Sequence, residues 1–321
     1  MKAAVHTRYG PPEVVHVTDV DKPVVGRTDV LVQVHATTVN RTDSGFRAAK
    51  PFFARIFTGL LRPKATIMGN EFAGVVDEVG AGVSAFSVGD RVFGYNEGPF
   101  GAHAEYLAMP ADGALATMPD GSSFAEIAPA MEGAHYALAF IRKAEIGEGQ
   151  DVLVNGATGA IGSAAVQILK HLGVNVTAVC STDYMDLVAG LGADRVIDYT
   201  AVDFTQDAQR FDVVYDTVGK STFGRCKRLL KPGGAYLSSE LGPFAQNPIL
   251  GLVTPLFRGK KVLMFPIPTH DAAMVRHFRD LIESGDFTPL IDRTYPLDEI
   301  VEAYRYVESG QKIGNVVITV P

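Results

Sequence analysis

The sequence predicts an α/β protein of two domains, an antiparallel, barrel-like β domain followed by a doubly wound parallel sheet covered by helices. Three observations carry this reading. Over residues 1–123, short runs with strand character are separated by turn residues, among them Gly10-Pro11-Pro12 and Gly80-Ala81-Gly82. From residue 124 the hydrophobic period changes to strand and helix in alternation. From residue 269 it changes again, to two helical stretches and a closing strand.

The first domain's strands are expected at Met1–Val5, Val14–Val17, Val30–Ala36, Gly74–Val79, Arg91–Gly94 and Ala104–Ala108. Those of the second fall at Asp151–Asn155, Val174–Cys180, Arg195–Asp198, Asp212–Asp216, Ala235–Ser239 and Lys261–Phe265, which suits two βαβαβ halves. After the first of them, Ile161, Ala165, Ile168, Leu169 and Leu172 share one helical stripe, and Gly173 ends it. In the tail, Met274, Phe278, Leu281 and Ile282 mark one helix and Ile300, Tyr304 and Val307 another, before the strand Asn315–Val320.

Composition bounds the function. With 321 residues, 47% hydrophobic and 20% charged, the chain can bury about two cores. Its two cysteines, Cys180 and Cys226, form no C-x-x-C pair and are too few for a disulfide scaffold, so a reducing cytoplasm is expected. Residues 1–15 contain no signal-like apolar run, and no stretch approaches the about 20 apolar residues of a membrane span. Neither export nor membrane insertion is expected. A net charge of −7 repels polyanions, which argues against nucleic acid and requires local donors for any phosphate-bearing ligand.

The sharpest motif is Val152-Leu153-Val154-Asn155-Gly156-Ala157-Thr158-Gly159-Ala160-Ile161-Gly162, an apolar strand entering a helix through glycines. Gly156 permits the tight turn, Gly159 lets backbone approach a pyrophosphate, and Gly162 lets helix and strand pack closely. The helix N-terminus then faces the anion with unpaired N–H groups and partial positive charge. The spacing G-x-x-G-x-x-G departs from G-x-G-x-x-G, so the strand before and helix after support it. Thr158, Ala160 and Ile161 belong to the same expected diphosphate cradle. An NAD-preferring site places Asp or Glu about 20 residues on. Here Ser181 and Thr182 stand at that point, and hydroxyls tolerate a 2′-phosphate, so NADPH is preferred, with NADH possible. Against this, Asp183 and Asp186 lie close by and no Arg or Lys occurs between Val174 and Leu191.

Further motifs run along nearly the whole chain: Val39-Asn40-Arg41-Thr42-Asp43, Gly69-Asn70-Glu71-Phe72-Ala73-Gly74, Val88-Gly89-Asp90-Arg91-Val92, Ala104-Glu105-Tyr106, Leu191-Gly192-Ala193-Asp194, Asp216-Thr217-Val218-Gly219 and Lys231-Pro232-Gly233-Gly234. In order and spacing they resemble the medium-chain dehydrogenase/reductase superfamily and, within it, the zinc-independent quinone oxidoreductase group that includes zeta-crystallin-like proteins. The resemblance implies a GroES-like β-barrel catalytic domain over 1–123, completed by a return segment 269–321, and a Rossmann dinucleotide-binding domain over 124–268. Zinc alcohol dehydrogenases of this superfamily ligate the catalytic metal with a Cys in the first motif and a His in the second. Asn40 and Asn70 stand there in this chain, and an amide oxygen replaces neither thiolate nor imidazole well. No zinc is therefore expected. Without a Lewis acid an ordinary alcohol is a poor substrate, whereas a conjugated enone or quinone delocalises the incoming charge.

By the same resemblance Thr42 matches the hydroxyl residue that touches substrate and Asn40 an asparagine near the nicotinamide; each also suits a turn cap. Tyr199 falls where the group contacts the adenosine phosphate, and Val218 where it lines the nicotinamide. Asn315 completes the expected cofactor-binding set. Departures occur at Asp183, where a basic residue is common, and at His135 and Tyr136, where threonine is. Tyr95, in Gly94-Tyr95-Asn96-Glu97-Gly98, is a candidate proton donor after hydride transfer. The apolar stretches 51–61, with Phe53, and 248–257, with Leu252, wall a hydrophobic substrate or belong to an interface or core, with Arg55, Arg62, Lys64 and Arg258 flanking them. A homodimer paired along Lys261–Phe265 is implied by resemblance. The reading is an NADPH-dependent oxidoreductase acting on a small hydrophobic quinone or α,β-unsaturated carbonyl. The alternatives are a zinc-free alcohol or aldehyde oxidoreductase and a non-catalytic dinucleotide-binding protein.

Overall fold

Alternating apolar residues in the first third of the chain become one face of a bent sheet. A computed structural model describes residues 1–50, 52, 55–257, 259–266 and 269–321, grouped into two units, residues 1–132 with 269–321 and residues 133–268. In the first unit β1 (Lys2–Val5) pairs antiparallel with β2 (His16–Asp19). Strands β3 (Asp29–Val39), β4 (Glu71–Val79), β5 (Arg91–Tyr95), β6 (Tyr106–Pro110), β7 (Leu115–Thr117), β14 (Ile291–Pro296) and β15 (Asn315–Thr319) share a second sheet. Its spine is β3, which pairs with β6 over residues 29–33, with β15 over 36–39, and with β4 along its other edge. Register shifts between Leu31/Val32 and Val34/Ala36 mark irregularities of the kind that bend a strand.

Val30, Val32 and Val34 of β3 enter one core with Phe72, Val92, Leu107, Val316 and Ile318, joined by Ile300, Tyr304 and Val307 of the helix Ile300–Ser309. The tail thus shares the first unit's core. Two local expectations shift. Pro12–Val14 forms a 3-10 turn with proline at its start, as the fixed φ of proline favours, so the strand begins at His16 rather than Val14. Residues 124–132 group with the first unit although the hydrophobic period changes at 124. That change is the onset of a helix, Phe124–Ile127, whose Phe124 ring stacks on His35 of β3 at 4.5 Å.

The second unit is a parallel sheet of β8 (Asp151–Asn155), β9 (Asn175–Cys180), β10 (Arg195–Asp198), β11 (Phe211–Asp216), β12 (Leu230–Ser238) and β13 (Lys261–Val262). Their order is β10-β9-β8-β11-β12-β13. The chain winds outward from β8 to β10, then crosses to β11 and winds the other way. The switch point lies between the C-terminal ends of β8 and β11, where such folds bind ligands. Val152, Leu153 and Val154 are all buried, as a strand covered on both faces requires. The helix Ala160–His171 buries Ala164, Ala165, Ile168 and Leu169. Leu172 falls outside the expected stripe as the C-cap, and Gly173 stops the helix at φ +73°. The last strand is two residues long rather than the expected five.

Candidate active site

At the switch point, Gly156 takes φ +84°, and Gly156 N and Ala157 N donate to Val179 O of β9 at 3.2 and 3.1 Å. Gly159 is the N-cap of the helix Ala160–His171, and no side chain caps it. A Cβ on Gly162 would lie 2.1 Å from Gly156 O, whereas one on Gly159 would meet nothing closer than 3.5 Å. Glycine is therefore demanded at 162 by helix-on-strand contact, and at 159 the helix entry stays open. Thr158, Ala160 and Ile161 are half-buried beside it. Uncapped helical N–H groups behind an open turn fit a diphosphate.

Opposite, Asp216 at the end of β11 is fully buried and accepts from Asn155 Nδ2 (3.0 Å), Ser221 N (2.9 Å) and Tyr236 Oη (3.1 Å). This carboxylate locks the crossover and presents Val218, half-buried, against Gly156. At the end of β9, Ser181 is half-buried and Thr182 exposed. Register pairs Cys180 with Asp198 of β10, so Thr182 Oγ1 reaches Asp198 Oδ2 at 2.6 Å and Thr200 Oγ1 reaches Asp198 Oδ1 at 2.7 Å. The Thr182 hydroxyl, with that of Thr200, holds the Asp198 carboxyl below its ordinary range. The sequence reading searched β9 for an acid and missed Asp198, which only register brings there. Tyr199 follows it and is exposed. Asn315, expected among the cofactor residues, opens β15 in the first unit, where Nδ2 donates to Leu290 O at 3.0 Å and ties the start of β15 to that of the parallel β14.

In the first unit a buried polar cluster grows from Asn40. This residue caps the helix Arg41–Ala48: its Oδ1 accepts from Asp43 N at 2.9 Å, and Asp43 Oδ2 accepts from Asn40 N at 3.1 Å. Its Nδ2 donates to Asn70 Oδ1 at 2.8 Å, and Asn70 Nδ2 donates to Glu132 Oε2 at 2.8 Å. Glu132 opens the helix Glu132–Lys143; its Oε1 lies 2.5 Å from Thr42 Oγ1 and its Oε2 2.5 Å from Tyr95 Oη. Tyr95 Oη also reaches Glu97 Oε2 at 2.9 Å, and Glu97 Oε2 lies 3.3 Å from His270 Nε2. Beside this row, Glu71 Oε1 accepts from Thr38 Oγ1 (2.6 Å) and Oε2 from Met131 N and Glu132 N (3.0 and 2.7 Å).

Burial dominates the electrostatics. It lifts the Asp43 and Glu71 carboxyls to about 7 against the pull of their N–H donors. Glu132 rises well above the ordinary range through burial, then through repulsion by Glu97 and Glu71. His103, whose Nε2 lies 2.7 Å from Thr38 O, falls to about 4 by burial and stays neutral.

The structure brings Asn40, Thr42 and Tyr95 together, with roles that differ in directness. Thr42 is half-exposed, while Asn40 and Tyr95 are buried and bonded inward. Glu132 was missed by the sequence reading, and Glu71 and Glu97 stood in its motifs without a role. Of the expected pocket walls, Phe53 and Arg258 lie outside the described residues, and Leu60, Leu61, Leu252 and Leu256 are exposed.

Residues 26–120 match the family described as alcohol dehydrogenase GroES-like domain and residues 191–318 the one described as zinc-binding dehydrogenase. The chain is 33% identical to 2-methylene-furan-3-one reductase of Solanum lycopersicum, over 99% of this chain and 79% of that protein. It is 29% identical, over the same shares, to the chloroplastic NADPH-dependent alkenal/one oxidoreductase of Arabidopsis thaliana. Among solved structures, the quinone oxidoreductase from Coxiella burnetii aligns with TM-score 0.87 at 25% identity, covering 100% of this chain and 99% of that one.

Proposed function

The chain belongs to the medium-chain dehydrogenase/reductase superfamily, in its zeta-crystallin-like quinone oxidoreductase group, and from that membership we propose that it reduces a small α,β-unsaturated carbonyl or quinone with NADPH. Residues 133–268 serve as the nucleotide-binding domain in this reading, and 1–132 with 269–321 as the catalytic domain. When bound, the coenzyme supplies a hydride. The chain's own work is to hold the diphosphate at Gly156–Gly162, orient the acceptor, and supply a proton.

The observation that carries the reading is the pairing of Asn40 with Asn70 and of Asn70 with Glu132. The donors at the two places where zinc relatives hold metal are amides bonded to each other, and the carboxyl beside them, Glu132, is already taken by Thr42, Asn70 and Tyr95. This set does not fit zinc, which takes thiolate, imidazole or free carboxylate. It does present the half-exposed Thr42 hydroxyl, beside a carboxyl that burial pushes well above its ordinary range, as the polar group for the oxygen that gains charge. Asn40 positions Asn70, and Tyr95 acts through Glu132 rather than on the acceptor.

Three measurements test this. NADPH oxidation is expected with an enone and a quinone and not with the corresponding saturated ketone; turnover of secondary alcohols alone, or nucleotide binding without any turnover, overturns it. Dialysis against a strong chelator, with metal content measured, is expected to leave kcat unchanged. The preference for NADPH rests on the hydroxyls of Ser181 and Thr182 and on the likeness to an NADPH-dependent relative. Ser181→Asp is accordingly expected to raise KM for NADPH about tenfold or more by like-charge repulsion while sparing KM for NADH; an equal rise for both would refute it. A homodimer through the β13 edge, with Met264 and Phe265 exposed beside it, and a reducing compartment for two buried free thiols, complete the proposal.

A further inference from the structure

Five side chains of the first unit stand in one line of short contacts that leads from an exposed imidazole to a half-exposed hydroxyl. His270 Nε2 lies 3.3 Å from Glu97 Oε2, which lies 2.9 Å from Tyr95 Oη. Tyr95 Oη lies 2.5 Å from Glu132 Oε2, and Glu132 Oε1 2.5 Å from Thr42 Oγ1. The His270 ring also packs against the Tyr95 ring, with centroids 5.1 Å apart. Every member has an atom that can both take and give a proton.

We propose that His270, Glu97, Tyr95, Glu132 and Thr42 form a proton path that delivers one solvent proton to the reduced acceptor. The inference rests on the enone-reductase reading above. At rest Thr42 Oγ1 donates to Glu132 Oε1, and Asn70 Nδ2 and the Tyr95 hydroxyl donate to Oε2. The path runs when Glu132 takes up a proton: with that proton on Oε1, Thr42 Oγ1 accepts from Glu132 and turns its own hydrogen outward. When hydride adds to the β-carbon of an enone, the electron pair moves to the carbonyl oxygen and an enolate forms. Thr42 gives its proton to that enolate and takes the one on Glu132 Oε1. His270, protonated from solvent, gives its proton to Glu97, Glu97 passes it to Tyr95 as Tyr95 gives its own to Glu132 Oε2, and a half-turn of the Glu132 carboxyl returns that proton to Oε1. Each O–H or N–H bond broken is matched by one formed, the path ends with its starting charge, and no further oxidant or reductant is needed.

The test compares two acceptors on the full-length protein with saturating NADPH: an enone, whose enolate must be protonated, and an electron-poor quinone, whose hydroquinone departs as an anion. Tyr95→Phe and Glu97→Gln are expected to lower kcat for the enone by about 100-fold, the scale of one positioned proton transfer. The same variants should enlarge the solvent deuterium effect, shrink the effect of 4-deuterated coenzyme, and lower quinone turnover by a much smaller factor than enone turnover. Thr42→Ser should retain enone turnover that Thr42→Val loses. Equal losses on both acceptors, or unchanged isotope effects, overturn the path. Failure of the unaltered protein to reduce either acceptor overturns the enone-reductase reading itself, and is distinguishable from both.

Discussion

Gly162→Val is expected to cost at least about 100-fold in affinity for reduced nicotinamide coenzyme, the largest loss of any single change in the second unit. Its Cβ would sit 2.1 Å from Gly156 O, 2.8 Å from Gly156 C and 2.9 Å from Ala157 Cα, all of them backbone atoms. No rotamer relieves that contact, so the helix Ala160–His171 must retreat from β8 and carry its N-terminal amides with it. Hydrogen bonds to a charged group contribute about 1.5–3 kcal/mol each, and two of them lost correspond to 100-fold or more in Kd. Gly159→Ala separates this effect from simple crowding. Its Cβ meets nothing nearer than 3.5 Å and its φ of −73° suits any residue, so the fold is spared and the loss, near tenfold or about 1.4 kcal/mol, is confined to the ligand. Fluorescence titration with NADPH, alongside a thermal melt, reads both. Coenzyme binding by Gly162→Val equal to that of the unaltered protein would end the diphosphate reading of the loop.

That loop was legible in the sequence because its demands are local: a strand, a turn at positive φ, and a helix close behind it lie within eleven consecutive residues. The six parallel strands were legible for a similar reason, since burial on both faces leaves continuous apolar runs such as Val152-Leu153-Val154. The polar cluster was not. Glu132 is an acid at the first turn of a helix, a position that helix dipoles alone explain. Only tertiary contact with Thr42, Asn70 and Tyr95, 37 to 90 residues away in the chain, marks it as more. Asp198 escaped for want of strand register, and β7 and β14 because three residues, or a run as charged as Ile291-Asp292-Arg293, show no alternation. Asn40 shows the limit from the other side. Its residue type suits a turn cap and a site role equally, and the structure gives it a full capping box and a bond to Asn70 at once.

Glu71→Ala is expected to destabilise the first unit by about 3–5 kcal/mol, because it strands the N–H groups of Met131 and Glu132 and the hydroxyl of Thr38 in a buried cavity. Glu71→Gln should cost less than about 1 kcal/mol at pH 5, since its amide oxygen accepts both N–H groups and its Nε2 donates to Thr38 Oγ1. The pair also has an opposite pH signature. The Glu71 carboxyl ionises near 4.5 when unfolded and about 7 when folded, so between those values the native state holds a proton that the unfolded state has released. Stability from this group is complete below about pH 4.5 and is lost as pH rises through 7. Glutamine does not titrate, so the variant should gain on the unaltered protein between pH 5 and pH 8. His6 and His103, lowered to about 4 by burial, act in the opposite direction over part of that range. With Asp43 they are common to both proteins and cancel in the difference. Denaturant midpoints at pH 5 and pH 8 give the comparison. Parallel profiles for the two proteins would mean that Glu71 is ionised throughout, and that the pair of N–H donors at the start of the helix Glu132–Lys143 outweighs the cost of burying its charge.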